Sequence, residues 1–575
     1  MKNKTLRFTQ HIPLLALCIL ALFLAISCSK SEDSNTGDKT PNGEHILKFK
    51  ISGIEGDNSV AKSAIGMKGD VGRRHGIQAD ETLVSGTLGD ALISLEQNIK
   101  APLSSSITPN NGDAQAKARG AKAASIPLED QVKYRVILCD QNDNVLANVV
   151  GSTGTDPLIP VNLGWTYKWY AYSTNERESV PDFDTDSKLI SRAALSNKDL
   201  MVASGNISIQ AGENFLNIVF KRKTARIQAV VNVRGMFATL STDTKISIQN
   251  NTVPGTEVMT MGDYNPFSNS FSNIEPVNAV VTNAEMKVDN IVEGEAVKVA
   301  SFYTLNTTAI SPGNLTFNFT PLSILLDDGR TRTFSSSPGL SFTLPQGLTP
   351  SIGSSHIATL RLLESPIKVK GIMWARTNLI YNPLKLDKYR LKSNPDGSNI
   401  TTIDQDFWNW KSDVPRGEAG TTDGCALLYP EGTWKMPDLA TWETLGQPDK
   451  KEEINGIFYG ANYGAVWEKD TEYSRNEAYD DNRLYISYGG YRTAPGFFAP
   501  YVDQSPIGFL YGVVAGGQCH YWTATAVNET TSKAVVASFS RVLWGISWGG
   551  ITYEDRVSDE GRNVRCIRAI NNPNR

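Results

Sequence analysis

The sequence predicts a mainly β protein of several domains, and three observations carry that prediction: its length, its turn-rich composition and the recurrence of short alternating apolar runs. A chain of 575 residues has room for about three domains. Its 47 glycines, with abundant Ser, Thr, Asn and Val, favour short strands joined by tight turns over long helices. The formal charge of -4 is small for this length, which argues against a nucleic-acid track or a polyacidic tail.

At the N-terminus Lys2, Lys4 and Arg7 form a basic region, residues 12–26 an apolar one, and Ala25-Ile26-Ser27-Cys28 closes it. This order resembles a bacterial lipoprotein signal, although Ala25 stands where such signals prefer Leu. The resemblance implies a signal peptide over 1–27, lipid on Cys28, and an outer-membrane anchor through that lipid. The apolar run is shorter than the roughly 20 residues a spanning helix needs, and a polar tether follows. Of the six cysteines, Cys18 would leave with the signal and Cys28 would carry the lipid, so Cys139, Cys425, Cys519 and Cys566 remain. So few over so long a chain means that large cores, not disulfides, hold the fold.

Residues 45–54 (HILKFKISGI) alternate as a half-buried strand does, with His45, Leu47, Phe49 and Ile51 at every second place. From Glu55 to about Asp130 there is no Phe, Tyr or Trp, so this stretch is expected to bury little and to be largely flexible. One island, Leu83 to Ile99, is predicted as a short amphipathic helix. Arg73-Arg74, Lys117, Arg119 and Lys122 lie in this exposed chain, where proteases cut most easily; the plainer reading is an insert kept soluble by its basic residues. Strands are then predicted at 134–139, 146–150 and 166–172, the last an aromatic run (TYKWYAY) suited to a pleated surface. Residues 215–233 read as two strands around Lys221-Arg222-Lys223, expected to be a solvated turn. Further strands are predicted at 246–249, 296–303, 315–319, 332–334 and 356–362, giving two consecutive all-β domains, 128–213 and 214–366.

The order of lipoprotein cysteine, early strand, insert, YRVILCDQNDNVL, an aromatic strand ending in Ala171-Tyr172-Ser173-Thr174-Asn175, and FKRKTARIQAVVNV resembles the fimbrillin family, the type V pilus proteins of Gram-negative anaerobes. The resemblance covers about residues 29–366. It implies two tandem fimbrillin-type β-sandwich domains, with residues 28–127 serving as tether, first strand and cleavable pro-segment. It further implies that an arginine-specific surface protease removes the first strand and that a strand of a neighbouring subunit fills the groove left behind. Arg119 is the first expected cleavage site and Arg74 the second; a cut at either would detach lipid and strand together.

After Gly371 Trp, Tyr and Gly become frequent. Met373-Trp374-Ala375-Arg376-Thr377-Asn378-Leu379, Asp423-Gly424-Cys425-Ala426, Gly432-Thr433-Trp434-Lys435-Met436-Pro437, Tyr521-Trp522-Thr523-Ala524-Thr525 and Asn563-Val564-Arg565-Cys566-Ile567-Arg568 follow in order. Together they resemble bacterial C-type-lectin-like domains related to the Fibrobacter major paralogous domain, which implies an α+β domain over 367–575. The residues themselves predict a helix after Met436-Pro437-Asp438 and strands at 521–525 and 534–544. Trp374, Trp434, Trp442 and Trp522 are expected in the core. Tyr485, Tyr488, Tyr491, Phe497, Phe498 and Tyr501, in a Gly- and Pro-rich stretch, are with Trp544 and Trp548 the candidates for ligand contact. The lectin-like resemblance implies a Cys425–Cys566 disulfide, stabilising by roughly 3 to 5 kcal/mol, while Cys139 and Cys519 are expected as buried free thiols.

Gln447-Pro448-Asp449 copies a sugar-specificity tripeptide of calcium-dependent lectins but follows the first helix, so chance is the better explanation. Asp480, Asp481 and Asn482 carry oxygens that suit Ca²⁺, yet a solvated acidic loop is the expectation. No metal or cofactor is expected. His11, His45, His75, His356 and His520 are scattered, and no phosphate loop, His-Glu metal motif or zinc-spaced cysteine cluster occurs, so catalysis is not expected.

As a whole the chain resembles the large accessory tip subunits of a major fimbrium. The implied partners are a fimbrial stalk subunit, other tip accessory subunits, the protease, and a host or bacterial surface protein or glycan. The sequence ends at Arg575 a few residues past the last predicted strand, the basis for expecting a subunit that accepts a strand without giving one. The rival reading is an anchored surface lipoprotein that captures glycans as nutrients.

Overall fold

The computed structural model describes residues 45–55, 76–85, 89–99, 125–250, 258–334, 339–393, 407–455, 462–471, 478–479, 482–494, 502–503, 513–542 and 547–570. The protein is mainly β. Helical structure among the described residues is confined to short pieces, Arg192–Leu195, Leu439–Leu445 and a 3₁₀ turn at Gly294–Ala296.

The first sandwich begins with β1 (His45–Glu55), whose alternation buries Leu47 and Phe49. The next two strands, β2 (Thr82–Ser85) and β3 (Asp90–Ile99), belong elsewhere. Returning to the sandwich are β4 (Ser125–Ile126), β5 (Lys133–Cys139), β6 (Val145–Ser152), β7 (Ile159–Val161), β8 (Thr166–Ser173), β9 (Met201–Ser208) and β10 (Asn214–Arg222). Their order is β4-β1-β10-β9-β8-β5-β6, with β7 also on β1. Because β10 meets β9 only at Lys221 and Arg222, it passes from one layer to the other. Leu47, Phe49, Leu216 and Ile218 of the first layer pack on Tyr134, Val136, Tyr167 and Trp169 of the second.

A six-stranded sheet forms one layer of the second sandwich: Lys287–Val288, Val297–Thr304, β11 (Ala225–Gly235), Ser355–Leu363, β3 and β2. Its core joins Ile227, Ala229 and Leu360 to Phe317, Phe319, Leu322, Ile324 and Phe342 of two smaller sheets opposite.

Here the structure corrects two expectations. The predicted helix over Leu83–Ile99 is the β2–β3 hairpin, and the supposedly unpacked insert buries Ala91, Leu92 and Ile93 at 0–2% exposure. The apolar spacing in this island suits either period; the open edge of Ser355–Leu363, which β3 pairs from Leu363 opposite Asp90 to Ser355 opposite Ile99, decides for strand. Similarly, Lys221-Arg222-Lys223 is not a solvated turn throughout. Arg222 is the buried last residue of β10 and pairs with Asp199 at 2.5 Å, since a guanidinium taken from water needs a carboxylate.

In the C-terminal part, Ile372–Tyr381 lies between Ile367–Val369 and Arg565–Arg568, and Trp434–Lys435 extends that sheet. A second sheet is formed by Val513–Ala526, Thr531–Val542 and Ser547–Val557. The helix Leu439–Leu445 is N-capped by Asp438, whose Oδ1 accepts the Thr441 N–H at 2.8 Å. Trp374, Trp434, Trp442 and Trp522 are all buried, and a disulfide joins Cys425 to Cys566.

Candidate functional site

The alternation of β1 fits it to a slot. It pairs parallel to β10 from Leu47 opposite Asn214 to Ile54 opposite Phe220. Its other edge is covered antiparallel by β7, His45 opposite Val161 to Leu47 opposite Ile159, and by β4 at Ile54 and Glu55. Leu47, Phe49 and Ile54 are buried, and His45 and Ile51 are half-buried. The inward face shifts after Ile51 because the register slips between Ile51 and Gly53. Gly53 has φ +118°, a conformation that L residues with side chains rarely adopt.

Two things hold β1, and both are generic. Burying Leu47, Phe49 and Ile54 stabilises by roughly 1.5–3 kcal/mol per side chain, and backbone pairing serves one edge along β10 and the other at its two ends, on β7 and β4. The ion pairs Lys48–Glu213 at 2.8 Å and Glu55–Lys221 at 2.9 Å lie in the exposed rim, where such pairs contribute little. Without β1, β10 on one side and β7 and β4 on the other would present open edges around an apolar groove, a template for another strand. Sequence reasoning missed Ile54 and the β7 wall, Ile159 and Val161. The short LIPV run was the only signal for the latter.

The aromatic candidates of the C-terminal part do not form one surface. Tyr485 is fully buried, packed against Gly464. Tyr488 is buried too: it stacks on Phe539 with centroids 5.3 Å apart and donates its hydroxyl to the Lys451 carbonyl at 2.7 Å. Both therefore leave the set of ligand contacts: β-pairing of Leu484–Ser487 with Asn462–Trp467 holds Tyr485 in the core, and Tyr488, just past that strand, packs against Phe539 and Gly517. Tyr491 is half-buried and lies flat on His520, centroids 4.0 Å apart at 11°. Trp548 stands 44% exposed. Phe497, Phe498, Tyr501 and Trp544 lie outside the described residues, as do Cys28, Arg74, Arg119, Asp480 and Asp481.

Electrostatics give these groups structural tasks. Burial first, then Arg562 and Arg556, push the His520 imidazole down to about 2, so it is neutral at physiological pH. Burial also lowers His356, lifts the Cys139 thiol to about 11 and raises Cys519, leaving both thiols protonated and unreactive. The Gln447-Pro448-Asp449 side chains serve backbone: Gln447 both accepts from and donates to Ile551, and Asp449 accepts the Glu468 N–H. Among the described residues no group of three or more His, Cys, Asp or Glu is placed to hold a metal, and no helix is long and apolar enough to cross a membrane.

Fold and slot together define a multidomain, mainly β protein whose first sandwich is completed by an N-terminal strand. No family model matches the chain, and no curated protein does. Solved structures that overlap part of it include a protein from Bacteroides fragilis provisionally described as a cell adhesion protein (15% identity, 43% of this chain and 91% of that one, TM-score 0.27). One from Bacteroides uniformis, described likewise, shows 12% identity over 41% of this chain and 90% of that one, with a TM-score of 0.23. The fimbrial anchor protein Mfa2 from Porphyromonas gingivalis shows 14% identity over 37% and 76%, with a TM-score of 0.17.

Proposed function

We propose that the protein is a structural and adhesive accessory subunit at the tip of a type V fimbria, assembled when a neighbouring subunit's strand replaces β1 after proteolysis. The observation that carries this reading is β1 itself, an N-terminal strand lodged between β10 and the β7 and β4 edges and held by apolar alternation and backbone pairing. A replacement needs apolar residues at the places of Leu47, Phe49 and Ile54 and a glycine at that of Gly53. The fimbrial partners come from the sequence resemblance over 29–366, and the tip position from the resemblance of the whole chain to accessory tip subunits. The C-terminal part is the adhesive module in this reading, Trp548 being the one candidate contact exposed among the described residues.

The test is to purify the protein from its native cell surface and read the N-terminus of the mature form with whatever co-purifies. A start after Arg74 or Arg119, with fimbrial subunits attached, is expected. A lipidated start at Cys28 without a fimbrial partner overturns the proposal and leaves an anchored, glycan-capturing lipoprotein.

A further inference from the structure

The chain before Val132 supplies strands to two sandwiches, and different chemistry holds them. β1 has ion pairs in its exposed rim, as described. The β2–β3 hairpin is fixed by buried ones. Both Glu81 carboxylate oxygens lie 2.7 Å from Arg361 Nη1, with the two side chains 3% and 6% exposed. Asp90 accepts from Arg568 at 3.2 Å, at 6% and 3% exposure, and from the Ser85 hydroxyl at 2.8 Å.

These arginines belong to different parts of the molecule. Arg361 lies on Ser355–Leu363 of the second sandwich, whereas Arg568 ends the C-terminal strand Arg565–Arg568. Arg568 also sits over the Trp434 ring, 4.2 Å from its centroid, and donates to the Glu364 carbonyl at 2.8 Å. Just ahead of the hairpin, Gly76 bridges Glu431 of the C-terminal part and its carbonyl accepts from Arg361 at 3.2 Å.

We infer that the β2–β3 hairpin is a permanent staple fastening the second sandwich to the C-terminal part, so that the exchangeable portion of the N-terminal segment ends before Gly76. The second clause rests on the strand-exchange reading of β1. The slot of β1 asks an incoming strand for apolar residues at the places of Leu47, Phe49 and Ile54 and a glycine at that of Gly53, and for no buried charge. Departure of the hairpin would instead take the Glu81 and Asp90 carboxylates from two buried guanidiniums and uncover Ala91 and Ile93; a substitute would have to restore both carboxylates in register. Cleavage within 56–75 therefore yields a subunit that keeps its hairpin covalently. Cleavage within 100–124 alone yields a nicked one in which residues 76–99 stay bound and keep β1 tethered to them, so a cut at Arg119 would not by itself release the first strand.

The full chain carrying two inserted sites for a sequence-specific protease, one within 56–75 and one within 100–124, tests this. After cutting, the protein is incubated with excess labelled peptide of sequence His45–Glu55, separated by gel filtration without denaturant, and its fragments identified by mass. Expected are uptake of the peptide with loss of the β1 fragment, and retention of the hairpin fragment. Loss of the hairpin alongside β1 overturns the staple and leaves strand exchange standing. A β1 fragment that neither leaves nor exchanges overturns the strand-exchange reading and with it the boundary before Gly76, while hairpin retention still judges the staple. In the same cut protein, Glu81→Gln with Asp90→Asn is expected to shorten hairpin residence about tenfold or more without changing β1 exchange. Unchanged residence shows that the ion pairs do not hold it and overturns the inference.

Discussion

At the scale of single residues, the consequences follow from which side of a strand a group occupies. Phe49 is 4% exposed in the slot, and its neighbour Lys48 reaches the rim. Phe49→Ala is expected to cost about 3–5 kcal/mol and Lys48→Ala less than about 0.5 kcal/mol, read from urea unfolding of the first sandwich. A cheap Phe49→Ala would mean that β1 is not a core strand. Tyr485 and Trp548 make a similar pair in the C-terminal part. Tyr485→Ala should lower its melting temperature, while Trp548→Ala should leave it unchanged and lower adhesion; the reverse would return Tyr485 to the ligand surface. Asp438 adds a pH dependence. Hydrogen bonds from the Thr441 side chain and backbone hold its carboxyl below the usual range. A depressed folded pKa means the cap contributes fully above the unfolded value, near 3.9, and is lost as pH falls through the folded one. The thermal stability of the C-terminal part should therefore decline below about pH 4. Asp438→Asn, which still caps, should flatten that decline while leaving stability at pH 7 nearly intact.

Elements show where local pattern suffices and where it does not. β1 was legible because the alternation over residues 45–51 has a single good solution, a strand with one buried face. The β2–β3 island was not, since apolar residues such as Leu83, Val84, Leu92, Ile93 and Leu95 fit a helical stripe as well as a hairpin. The decision came from a distant partner, the edge of Ser355–Leu363. Ile93→Ala is accordingly expected to cost about 2–5 kcal/mol in the unfolding of the second sandwich and nothing in that of the first. Hydrogen exchange resolved by segment would show it, and protection lost from β5 and β8 instead would contradict the assignment. Among the aromatics, Trp374, Trp434, Trp442 and Trp522 were readable as core from their place in predicted elements. Tyr485 was misread because a glycine-rich sequence masks the short strand Leu484–Ser487, and Tyr488 because its partner Phe539 lies on a distant strand.

For the whole molecule, the second sandwich and the C-terminal part share their interiors. Phe237 lies in the cluster around the Cys425–Cys566 disulfide, and Tyr479 lies in the core of the second sandwich. Tyr479 is clasped between Arg332 and Arg376, at 4.2 and 4.0 Å from its ring, and Tyr429 between Arg234 and Arg361, at 3.8 and 4.9 Å. Desolvated contacts of this kind contribute up to about 2 kcal/mol each. Calorimetry should therefore find one shared transition for these two parts, and Tyr479→Ala should split it or lower it. Two well-separated transitions in the native chain would show that the interface does not couple them.

By itself, the sequence determined the β class, the alternating first strand, the tryptophan core and the capped helix, because each depends on periodicity or on neighbours within a few residues. The tertiary structure decided the rest. It chose strand over helix for residues 90–99, placed Arg222, Glu81 and Asp90 in buried ion pairs, and sorted the aromatic candidates into core and surface. Those outcomes depend on partners tens to hundreds of positions away, as with Asp90 and Arg568, which only the packed chain brings together.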